Sequence, residues 1–60
     1  GEEVFVVLDG TVDMHYREAG SEHVSRLEAG DIFYAAIGCE HVAHPLSEAR
    51  ILVVETAGSV

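Results

Sequence analysis

The sequence predicts an all-β fold, a sandwich or barrel of short strands. Runs rich in β-branched and aromatic residues recur along the chain. Turn signals containing glycine separate them at the roughly 8–12-residue spacing of such folds. No long stretch places its apolar residues at a helical period.

Val4–Leu8 is a run of β-branched, aromatic and aliphatic residues, bounded by Asp9-Gly10. Asp-Gly between two apolar-rich runs predicts a two-residue hairpin with a type I′ turn, which needs positive φ at both central residues. Thr11–Arg17 alternates: Val12, Met14 and Tyr16 point one way, and Thr11, Asp13, His15 and Arg17 the other. That pattern predicts a half-buried strand with one wet face. Ala19-Gly20-Ser21-Glu22 is the second turn, and His23–Leu27 a weaker strand with Arg26 inside it. Ala29-Gly30-Asp31 turns the chain again into the apolar strand Ile32–Ala36, which Gly38 ends. Val42–Leu46 contains Pro45, which fits a strand end or a sheet edge because proline donates no ladder hydrogen bond. Ala49–Glu55 is the last strand, and Gly58-Ser59-Val60 opens an exit segment.

Sixty residues make one small domain, and a chain of this size buries only about 60% of the surface it exposes when unfolded. A disulfide cannot compensate, since Cys39 is the single cysteine. The net charge of −8 argues against the nucleic-acid backbone and against anionic membrane surfaces, both of which need Lys and Arg. No apolar run approaches the ~20 residues of a membrane-spanning helix, and no signal segment opens the chain. A soluble, cytoplasmic protein is expected. Val4–Leu8 and Ile51–Val54 are apolar on both faces, and strands of that kind are covered on both sides. A second copy or a further segment would supply the cover, so a homodimer is expected.

Two groups of residues carry a resemblance. Glu3 is followed, after six residues, by Gly10; Gly30 is followed by Ala36, Gly38 and His41 at the spacing G-x5-x-x-G-x2-H. These resemble the two motifs of the cupin superfamily, G-x5-H-x-H-x3,4-E-x6-G and G-x5-P-x-G-x2-H-x3-N. The chain departs from the pattern at Ala36 for the proline and Pro45 for the asparagine. The resemblance covers nearly all of residues 2–56 and implies a cupin-type jelly-roll β-barrel over residues 1–60. The barrel would be partial, because the strands bearing the His-x-His pair would lie before residue 1, about four residues ahead of Glu3.

The resemblance implies that Glu3 and His41 are metal ligands for a divalent transition metal (Fe, Mn, Ni, Cu or Zn), facing the lumen with Phe5 and Val7. Imidazole and carboxylate suit such ions. Ile32, Tyr34 and Cys39 are the other candidate pocket residues. Each has a plainer reading: Glu3 as a solvated strand-start charge, His41 as a partly buried imidazole on a backbone hydrogen bond, Cys39 as a small apolar group, and Tyr16 and Tyr34 as core residues with a polar tip. His15 and His23 are expected at the surface. His44 follows His41 by three residues, so an extended backbone puts the two on opposite faces. The functions implied are a barrel binding a metal or a small molecule, a metal-dependent enzyme of dioxygenase or isomerase type acting on a small polar substrate, or a structural unit completed by strand exchange.

Overall fold

A computed structural model describes residues 2–55. Its six strands are β1 (Glu3–Asp9), β2 (Thr11–Glu18), β3 (Ser21–Glu28), β4 (Ile32–Ala35), β5 (His41–Pro45) and β6 (Arg50–Glu55). Every expected strand is present, with ends moved by one or two residues. The exit segment at Gly58 lies outside the described residues. No helix among them is long and apolar enough to cross a membrane.

The strands form two antiparallel sheets, in the orders β4-β1-β6 and β3-β2-β5. The fold is therefore all-β, but the two sheets are not closed into a barrel. The expected hairpin at Asp9-Gly10 is also absent, because β1 and β2 lie in different sheets. Gly10 has φ +83° while Asp9 has no positive φ, so the turn is not type I′. It is a crossing between sheets. The Asp9 carboxylate accepts a hydrogen bond from the Gly10 amide at 3.0 Å. A Cβ on Gly10 would collide with the Glu48 carbonyl oxygen and lie 2.9 Å from the Ala49 Cα. Glycine is needed there for its conformation and for this close approach.

The primed hairpin occurs one turn later. Glu18 pairs with Ser21, and between them Ala19 and Gly20 both have positive φ, +52° and +79°. Ala19 adopts this left-handed conformation despite its Cβ.

Register fixes which side chains meet. Glu3, Phe5 and Val7 lie opposite Glu55, Val53 and Ile51 on one side, and Glu3 and Phe5 lie opposite Ala35 and Phe33 on the other. In the second sheet Val12, Met14 and Tyr16 lie opposite Leu27, Ser25 and His23, and opposite Pro45, Ala43 and His41. These inner faces meet in a core of Phe5, Val7, Val12, Met14, Leu27 and Ala35. The alternation expected for β2 is thus the observed one.

The phase of β4 is the reverse of the expected phase. Phe33 and Ala35 turn inward, while Ile32 is 65% exposed and Tyr34 55% exposed. Both parities of Ile32-Phe33-Tyr34-Ala35 are apolar, so the sequence offers nothing to distinguish them. Pairing with β1 decides, because Phe33 must share a face with the buried Phe5.

Candidate functional site

Glu3 and His41 stand 38 positions apart in sequence, on different sheets, yet Nε2 of His41 is 2.8 Å from Oε1 of Glu3. Both side chains are largely buried, 19% and 22% exposed. Glu3 is placed by β1, where alternation puts it on the same face as Phe5 and Val7. His41 is placed by a tight turn. The Cys39 amide donates to the Ala36 carbonyl at 3.0 Å, and Gly38 supplies the φ of +81° that the third residue of a type II turn requires. Pairing of Tyr16 with His41, and the Arg17 amide on the Glu40 carbonyl at 3.0 Å, then fix the start of β5 against β2.

The ring has a defined tautomer. Its Nδ1 is 2.8 Å from the Cys39 carbonyl oxygen, which can only accept, so Nδ1 carries a hydrogen. Nε2 is left facing Glu3, at hydrogen-bond distance from Oε1. Phe5 presents a T-shaped contact to the imidazole at 5.2 Å between centroids. Phe33 lies 6.2 Å from Phe5 and 5.2 Å from Tyr16, and Tyr16 stacks on His23 at 5.3 Å. The result is a run of rings bridging the sheets beside the His41–Glu3 pair.

Glu55 is a neighbour that the linear sequence does not reveal. It is the register partner of Glu3, and its carboxyl is held above the usual carboxylate range by a hydrogen bond to Glu3 and by that group's negative charge. Glu3 thus sits between an imidazole and a second carboxyl. Finding Glu55 required knowing that the first and last strands are neighbours.

The donor set suits two coordination positions of a first-row metal. With Nδ1 protonated, Nε2 is the nitrogen free to ligate. Among the described residues no three His, Cys, Asp or Glu side chains converge on one point.

The candidate pocket residues separate. Phe5 and Val7 are packed into the core and line no opening. Ile32 is on the outer face. Tyr34 and Cys39 border a shallow hollow of about 570 Å³, with Tyr16, Phe33 and the Ala36–Gly38 turn. Cys39 also packs against the core. Tyr34 is not a core residue; its hydroxyl donates to the Glu2 carboxylate, which raises its pKa. His15 and His23 are exposed. His44 lies opposite Asp13 on the outer face and contacts His15 edge-on at 4.4 Å, so it points away from His41.

No family model, curated protein or solved structure matches this chain.

Proposed function

We propose that this chain is a small cupin-type module that binds a divalent transition metal, with Glu3 and His41 as the ligands it contributes. The carrying observation is the 2.8 Å approach of His41 Nε2 to Glu3 Oε1 across two sheets. Glu3, Gly10, Gly30, Gly38 and His41 supply the motif spacing. The jelly-roll barrel belongs to this reading, with the two open sheets as part of its wall. Fe, Mn, Ni, Cu or Zn would supply Lewis acidity for orienting a small polar ligand. The Cys39 carbonyl holds the ring in the ligating tautomer, and Phe5 and Phe33 shield it from water. The Tyr16–Cys39 hollow is the space adjoining the aromatic cluster in which such a molecule would lie.

Elemental analysis by inductively coupled plasma mass spectrometry, before and after reconstitution, tests the reading. About one ion per chain is expected, lost in Glu3→Gln and in His41→Ala. Binding should weaken on acidification, since protons compete with a metal ion for imidazole and carboxylate donors. Metal that never exceeds a trace, or that survives both substitutions, would overturn the proposal.

A further inference from the structure

Two histidines meet on the outer face of the β3-β2-β5 sheet. Register sets His44 opposite Asp13 and His15 opposite Val42, so the two histidines are diagonal neighbours on adjacent strands. Their rings are in edge contact, with centroids 4.4 Å apart and planes at 68°. Both residues are exposed, and β5 lies at the edge of its sheet, so water reaches the pair freely. Among the described residues no group hydrogen-bonds a ring nitrogen of either. Both nitrogens of His41, by contrast, are engaged, one by the Cys39 carbonyl and one by Glu3. We propose that His15 and His44 form a second metal site, an open surface site that takes a late first-row divalent cation (Ni²⁺, Cu²⁺ or Zn²⁺) through one nitrogen of each imidazole.

Three features favour such an ion. Neutral imidazole is a ligand that Ni²⁺, Cu²⁺ and Zn²⁺ share. Pairing of β2 with β5 brings the rings together before any ion arrives, which lowers the ordering cost of joint ligation. The surroundings also tolerate positive charge. Arg17 and Arg26, the arginines of this face, are each held by a carboxylate, Glu22 and Asp13. Both Asp13 oxygens are engaged by Arg26, at 2.8 and 3.1 Å, so Asp13 is a neighbouring charge and ligation falls to the rings. The net charge of −8 adds a general attraction for cations. His23 supplies the contrast within the same sheet: it is exposed as well, but its ring stacks on Tyr16 rather than on a second imidazole. With two protein donors, the remaining coordination positions fall to water, which keeps the ion exchangeable.

Titration of the 60-residue chain with Zn²⁺, followed by nuclear magnetic resonance of its labelled histidine rings, tests the pair and reads each of the four imidazoles separately. His15 and His44 should shift together along one saturation curve, with His23 lagging behind them. His15→Ala and His44→Ala should each weaken binding at the remaining ring by at least about tenfold, since the loss of even an outer partner of a metal site costs that much. His23→Ala should leave the curve unchanged. The substituted side chains are exposed, so far-ultraviolet circular dichroism should match wild type in all three variants. In Glu3→Gln the joint shift should persist while the response of His41 is lost, so the outer and inner sites can fail independently. The exchangeable outer ion should also leave on desalting and add nothing to the ion count at Glu3 and His41. A zinc response of His15 that keeps its affinity in His44→Ala would overturn the proposal. So would a response of His23 equal to that of the pair, which is what any exposed imidazole gives.

Discussion

The two sheets share one core yet turn opposite kinds of surface outward. On β3-β2-β5 the outer residues include Asp13, His15, Arg17, Glu22, Arg26 and His44, with Arg26 forked onto Asp13 at 2.8 and 3.1 Å. On β4-β1-β6 they are Val4, Val6, Leu8, Ile32, Tyr34, Leu52 and Val54. A strand with one wet face alternates, whereas a strand covered twice is apolar throughout. The difference teaches that alternation lets the first sheet present polar groups to water, whereas the second, apolar at every position, leaves its outer side chains exposed. The Glu3–His41 pair joins them from the inside, one residue from each sheet.

The largest effect is expected where the sheets are alike. Met14 is fully buried between them, and Met14→Ala should cost about 2–5 kcal/mol by denaturant titration, a loss this small chain would hardly survive. A cost below about 1 kcal/mol would mean that the inner faces do not pack as one core. Next comes the crossing that lets one chain feed both sheets. Gly10→Ala sets a Cβ against backbone atoms of Glu48 and Ala49 and should destabilise by about 2–3 kcal/mol. Thermal melts as stable as wild type would show that the crossing is looser than described.

A smaller effect, opposite in sign, is expected within the charged sheet. Ala19→Asn relieves a left-handed alanine in the β2–β3 hairpin and should stabilise by about 1 kcal/mol. The smallest concerns the charged surface itself. The hydrogen bond from Arg26 holds the Asp13 carboxyl below its ordinary range, aided by the charge of Arg26 and opposed by partial desolvation. A carboxyl with a lowered folded pKa stabilises above its unfolded value, and that gain disappears as the pH falls through the folded value. Arg26→Ala should therefore melt slightly below wild type near neutral pH, and the gap should close on acidification and in high salt. A gap that widened with acid would remove the ion pair from the account.

The site was legible to unequal degrees. Glu3 and His41 could be picked out because their spacing to Gly10 and Gly38 carried a resemblance, and they do lie in contact. The hairpin at Asp9-Gly10 was misread because a two-residue turn signal is local, whereas the partner of each strand is not. Ile32 and Tyr34 were placed on the wrong face because a strand apolar at every position has no readable phase. Glu55 escaped notice because its importance depends on β6 lying beside β1.

By itself, the sequence determined the strands, the places where the chain turns, the in-and-out alternation of Val12, Met14 and Tyr16, and the acidic balance. Those properties depend on neighbours a few residues apart. Tertiary structure alone decided which strands pair, that the sheets stay open, which face of β4 is buried, and that the Nε2 of His41 points at Glu3. These are consequences of pairing between distant segments, where a shift of one residue exchanges the inner and outer faces of a strand.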